Sequence, residues 1–101
     1  MSTIEVKKQL GDDVVTRAHG KRLQALIEER LSNPPVVIDF GWLQITSVSF
    51  FDEAFGRLAR EYGEELLALV HLRQIDAFDL ALLQDIVHSR ALEARKRAAR
   101  G

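Results

Sequence analysis

The spacing of hydrophobic positions switches along the chain between two and three-to-four, and each switch marks an element. From Thr3 to Lys7 the pattern alternates, with Ile4 and Val6 on one side and Glu5 and Lys7 on the other. That period predicts a half-buried strand near a sheet edge. Gly11-Asp12-Asp13 carries turn chemistry, and Val14-Val15 is of a length to supply a short second strand. Leu23, Leu26, Ile27 and Leu31 then form one stripe, with Lys21, Arg22, Glu28, Glu29 and Arg30 off it, as in an amphipathic helix. Gly20 weakens the first turns, which argues for a start later than Thr16. Asn33-Pro34-Pro35 stops the helix, because proline cannot continue it and restricts the residue before.

Val36-Val37-Ile38-Asp39-Phe40 reads as a central strand covered on both faces, ended by Gly41. Trp42 to Ser49 is irregular and rich in Ser and Thr. Phe51, Ala54, Phe55, Leu58, Ala59 and Tyr62 keep helical spacing, and Gly63 stands where a left-handed cap belongs. Leu66 to Leu72 is an apolar run of strand length. Asp76 caps a last, long helix with an inner stripe of Leu80, Leu83, Val87 and Ala91, widened by Ile86. This succession predicts one α/β domain over residues 1–101, a small mixed or mostly parallel sheet of about four strands with three helices.

Composition narrows the functional classes. With 47% hydrophobic residues, the chain has enough apolar material to close a core at this size. It has no cysteine, so a disulfide framework, a zinc cage and a thiol nucleophile are excluded. The polar N-terminus, with neither a signal-peptide core nor an apolar run of membrane length, makes the cytoplasm the expected compartment. A formal net charge of −1 does not favour nucleic acid or a membrane surface for the chain as a whole. Arg90, Arg95, Lys96, Arg97 and Arg100 do load the last stretch with positive charge. They read as a solvated helix end or as a basic patch for RNA or acidic lipid, and the absence of stacking aromatics argues against the patch. A homodimer through the edge strand and the final helix remains open.

No enzyme is expected. Ser47, Asp39 and one of His19, His71 or His88 supply the residue types of a hydrolytic triad, but there is no Gly-x-Ser-x-Gly elbow. His71 lies in a strand pattern and is expected to be partly buried; His88 is expected at the solvent edge of its helix. Asp12-Asp13, Asp52-Glu53 and Glu64-Glu65 are chain neighbours, a poor arrangement for one metal ion, and no phosphate-binding glycine motif occurs. No metal and no cofactor is therefore expected.

The segment Ser47-Val48-Ser49-Phe50-Phe51-Asp52-Glu53 joins the central strand to the clearest helix, where open α/β sheets form their sites. Ser49-x-x-Asp52 fits a capping box. Trp42 is either a core aromatic over the sheet edge or an interface anchor. Phe50, about 100° off the Phe51/Phe55 stripe, either staples the helix start or stays exposed for a partner.

Val36 to Phe40, followed by Ser47-x-Ser49-Phe50-x-Asp52-Glu53 and Gly56, resembles the STAS-like family of unknown function, best over residues 36–58. That family is similar to the STAS domains of sulphate transporters and anti-sigma-factor antagonists. In the antagonists a partner ATPase of histidine-kinase type phosphorylates an Asp-Ser pair on the loop before a helix, which switches binding. The resemblance implies a regulatory module. Together with the capped, hydroxyl-bearing junction it points to binding of another cytoplasmic protein through the loop Trp42–Ser49 and the start of the following helix, with Trp42, Thr46, Phe50, Asp52 and Glu53 as candidate contacts. Ser47 and Ser49 are the candidate phosphoacceptors. No Asp-Ser pair stands there; Val48 separates the serines. Ser47, further from Asp52 and Glu53, is expected to take the phosphate and Ser49 to cap the helix.

Overall fold

Three strands form one parallel sheet: β1 (Ser2–Glu5), β2 (Val36–Asp39) and β3 (Val70–Arg73), in spatial order β1-β2-β3. The computed structural model of the chain describes residues 2–11 and 16–100. The expected strand at Val14-Val15, with Asp12 and Asp13 before it, lies outside the described residues. β2 is central, as its apolar run implies. Among the described residues the sheet is wholly parallel and has three strands rather than about four.

The expectation that β2 is covered on both faces needs correction. Val36, Ile38 and Phe40 enter the hydrophobic core, beside Ile4 of β1 and Val70 of β3. The alternate residues face away. Register places Thr3, Val37 and His71 in one row and Glu5, Asp39 and Arg73 in the next. Thr3, Glu5, His71 and Arg73 are exposed, so the helices cover one face and leave the other to water. Val37 is the exception on that face, only 4% exposed, yet it stands outside the core cluster. Val-Val-Ile-Asp-Phe is thus an inside–outside alternation whose second position happens to be apolar. His71 is exposed for the same reason, not partly buried.

β1 stops sooner than the alternation suggests. Helix α1 (Val6–Leu10) takes over, keeping Val6 fully buried while swinging Lys7 and Lys8 to the carboxyl end of the sheet. Helix α2 (Arg17–Arg30) starts at once after Thr16, whose side chain accepts the His19 N–H at 3.2 Å. Gly20 does not delay it, because tertiary packing needs a bare backbone there. A Cβ at Gly20 would lie 2.4 Å from the Phe50 carbonyl oxygen.

After β2 comes one helical run in three parts: α3 (Val48–Phe51), a π-helical stretch (Asp52–Gly56) and α4 (Arg57–Tyr62). It buries Phe51, Ala54, Phe55, Leu58 and Ala59, and Gly63 ends it at φ +70°. Phe40, Phe51 and Phe55 pack with ring centroids 6.3–6.5 Å apart. Leu66–Leu69 is a short helix, α5, not the first half of a strand. Leu-Leu-Ala-Leu has high helix propensity, and β-branching begins only at Val70. The final helix α6 (Ala77–Arg100) starts as expected, with the Phe78 N–H donated to Asp76 Oδ2 at 3.1 Å. Leu83, Val87 and Ala91 are buried, while Leu80 and Ile86 are half-buried at the stripe's margins.

Candidate functional site

Residues 41–47 leave the carboxyl end of β2 and cross to α3 in a left-handed, tightly bonded path. Gly41 (φ +58°) donates its N–H to Asp39 Oδ1 at 2.9 Å. Trp42 follows at φ +60°, and Leu43 N–H closes the turn on the Phe40 carbonyl at 3.1 Å. Positive φ at both central positions is the type I′ pattern, which favours glycine and asparagine over a bulky aromatic. Trp42 is held there by its own N–H, donated to the Gln74 carbonyl at 2.8 Å. Gln74, just after β3, also has positive φ (+50°).

Further along, Thr46 stands at φ +45°, a poor conformation for a β-branched residue. The cause is Asp79 in the first turn of α6. Its carboxylate is fully buried and receives the Ile45 N–H at Oδ2 (2.8 Å) and the Thr46 N–H at Oδ1 (2.9 Å). All non-glycine positive-φ positions among the described residues, Trp42, Thr46 and Gln74, therefore fall in the two loops at this end of the sheet. Such strain costs about 1–3 kcal/mol per residue and gathers where a surface has a task.

Three large apolar side chains are left in solvent on these segments: Trp42 (65% exposed), Val48 (59%) and Phe78 (62%), beside the exposed Thr46. Trp42 thus does not cover the sheet edge as a core aromatic. Phe50 is the reverse. It is fully buried against Phe51, with ring centroids 5.3 Å apart, and is not presented to a partner.

The capping role expected of Ser49 belongs to Ser47. Ser47 is the N-cap of α3, its Oγ accepting the Phe50 N–H at 3.1 Å. Ser49 lies within the first turn, and both serines are half-buried. Asp52 does not reach back to complete a capping box. It accepts from Arg90 Nε of α6 at 2.8 Å, and Arg90 in turn meets Glu93 Oε2 at 2.6 Å. The hydrogen bond to Asp52, ahead of that to Glu93, raises the Arg90 pKa above its usual value.

Glu53 points the other way. Its side chain, 7% exposed, bridges Arg17 Nη1 of α2 (3.0 Å) and Arg57 Nε of α4 (3.1 Å). Asp52 and Glu53 are thus internal struts that fix this helical run to α6 and α2, not free contact residues. Of the residues expected to meet a partner, Trp42 and Thr46 are exposed; Phe50 and Glu53 are not.

Asp79 and Arg90 do not follow from the loop sequence. Asp79 did leave a signal, since with Leu83, Val87 and Ala91 it keeps the i, i+4, i+8, i+12 spacing of the inner stripe. An acid at a core position needs a buried partner, here two main-chain amides. Among the described residues, no group of three His, Asp or Glu is placed to hold a metal ion. No helix among the described residues is long and apolar enough to cross a membrane.

A profile of the STAS-like domain of unknown function (DUF4325) matches residues 19–77, from the first turn of α2 to the start of α6. The chain belongs to this STAS-like family. No curated protein and no solved structure gives a match. The STAS-like region contains both serines and the whole strained loop; β1 and most of α6, including Asp79 and Arg90, lie beyond it.

Proposed function

We propose that this STAS-like chain is a non-catalytic regulatory module of the cytoplasm. It recognises another protein through the loop from Trp42 to Ser49 and the start of the helix that follows. The observation that carries this reading is the presentation of Trp42. A large aromatic stands in solvent on a backbone held left-handed by the Gln74 carbonyl, so little ordering entropy is lost on contact. Tryptophan in such a setting is the residue type most often found to dominate binding.

The partner class, by resemblance to the antagonist STAS domains, is an ATPase of histidine-kinase type, and the switch is phosphorylation of Ser47 or Ser49. A phosphate adds about −1.5 to −2 charge at a helix start, where that charge is favourable. Asp52 is paired with Arg90, and Glu53 with Arg17 and Arg57, so much of the repulsion from these neighbouring acids is already compensated.

The test is to recover the tagged chain from its native host with its partners and weigh each protein intact. A kinase-type ATPase that is retained by the parent, lost with Trp42→Ala and kept with Arg97→Ala is the expected result. If Trp42→Ala and the double alanine variant of Ser47 and Ser49 retain every partner as the parent does, the loop is not the recognition surface.

A further inference from the structure

The bare face of the sheet deepens at its carboxyl end into an open cavity of about 410 Å³. Each strand feeds it. Glu5 closes β1, Asp39 closes β2, Gln74 follows β3, and Gly41, Lys7 and Lys8 complete the wall. The volume is that of a small-molecule site, and the carboxyl ends of parallel strands are where such sites form.

The wall is built, not incidental. The Lys7 stem lies against Gly41 so closely that an added Cβ would come 3.1 Å from its Cδ and Cε. Gln74 keeps its positive φ while its carbonyl receives the Trp42 N–H. The charges are unequally engaged. Lys8 Nζ pairs with Glu5 Oε2 at 3.1 Å, and Asp39 Oδ1 accepts the Gly41 N–H. Lys7 has no carboxylate within ion-pair distance, and Asp39 Oδ2 makes no hydrogen bond, among the described residues. The cavity thus offers an ammonium, a carboxylate oxygen and the Gln74 amide, with the rest of its charge already matched.

We propose that this cavity binds a small phosphate monoester that carries hydroxyl groups. Its phosphate meets Lys7, and a hydroxyl donates to Asp39 Oδ2. Lysine suits phosphate as a compact point charge, and an ionised carboxylate can only accept, which selects a donor at the other end. Asp39 also repels a bare phosphate, so the ligand must separate its anion from its hydroxyls. This site does not depend on the protein partner proposed above.

Trp42 is the chain's single tryptophan, next in sequence to Gly41 and bonded to Gln74, so its fluorescence reports on the cavity. Ribose 5-phosphate, ribose and inorganic phosphate are titrated separately, with the Glu5, Gly41 and Gln74 amide shifts followed in parallel. The expected result is a saturable change, tightest for ribose 5-phosphate. Lys7→Ala should weaken it about tenfold or more. Asp39→Asn, which keeps an oxygen for the Gly41 N–H, should abolish the preference over inorganic phosphate. Lys96→Ala, far along α6, should change nothing.

Either of two results overturns the proposal. One is no saturable amide shift with ribose 5-phosphate at millimolar concentration. The other is equal binding of inorganic phosphate that Lys96→Ala weakens as much as Lys7→Ala, the mark of unspecific attraction.

Discussion

Asp79 accepts the Thr46 N–H at 2.9 Å while Thr46 sits at φ +45°, so a buried helix carboxylate holds a β-branched residue in a left-handed conformation. The loop is shaped from α6, more than thirty residues further along the chain. Replacing Asp79 by Ala leaves the Ile45 and Thr46 amides without their acceptor, and should cost about 3 kcal/mol of stability. The urea midpoint should fall with its slope unchanged. A loss below about 1 kcal/mol would mean that the loop holds its shape without the clamp.

Trp42 gives a prediction of opposite sign. Glycine at φ +60° relieves the left-handed strain, so Trp42→Gly should stabilise the fold by about 0.5–1 kcal/mol even as it removes an exposed aromatic. The same variant should lose the proposed protein partner. Thermal unfolding beside the recovery assay separates the two effects, and a destabilised Trp42→Gly would contradict the account of strain.

Gly20 and Gly56 invite the same substitution with unequal results. In a helix Gly→Ala ordinarily gains up to about 1 kcal/mol. At Gly20 the new Cβ meets the Phe50 carbonyl at 2.4 Å, a backbone atom that cannot turn aside. Gly20→Ala should therefore cost about 2–3 kcal/mol, by displacing α2 from the start of α3. At Gly56 the obstacle is Asp52 Oδ1, also at 2.4 Å, and that carboxylate can rotate away by giving up Arg90. Denaturation of both variants should rank Gly56→Ala as the milder.

Because Ser47 and not Ser49 caps the helix, alanine at Ser47 should cost about 1 kcal/mol. Alanine at Ser49 should stay within about 0.5 kcal/mol of the parent. Aspartate at Ser47 retains a capping oxygen and should keep most of the stability, so it can mimic the phosphate without unfolding the site. Equal losses at the two serines would return the cap to an open question.

The sequence makes the element order legible wherever one period dominates. The Leu23/Ile27 stripe, the Phe51/Phe55/Leu58 stripe and the Leu83/Val87 stripe all appear as helix faces against one core. What escapes is set by contacts distant in the chain. Nothing around Val37 says whether its side of the strand is covered, since that depends on which side the helices pack. Nothing near Thr46 announces a positive φ whose cause is Asp79. At Leu66 the apolar run was too short for its period to separate helix from strand, and only the absence of β-branching before Val70 could have done so. In the serine segment the cap falls on Ser47 and not on Ser49, and Asp52 pairs with Arg90 instead of reaching back to the helix start.

The strand register bears on how the chain reaches this state. Ser2 pairs with Val36, and Val36 with Val70, so the ladder advances by the same thirty-four positions at each crossover (2 to 36, then 36 to 70). Loop-closure entropy depends on length, so neither pairing is the cheaper one to close first. Among the described residues β2 is the only strand with a neighbour on each side, and its emergence from the ribosome is the event that gives β1 its partner. Among the described strands, the order of folding is thereby tied to the middle of the sequence: until residue 39 is free, β1 lacks the strand it pairs with.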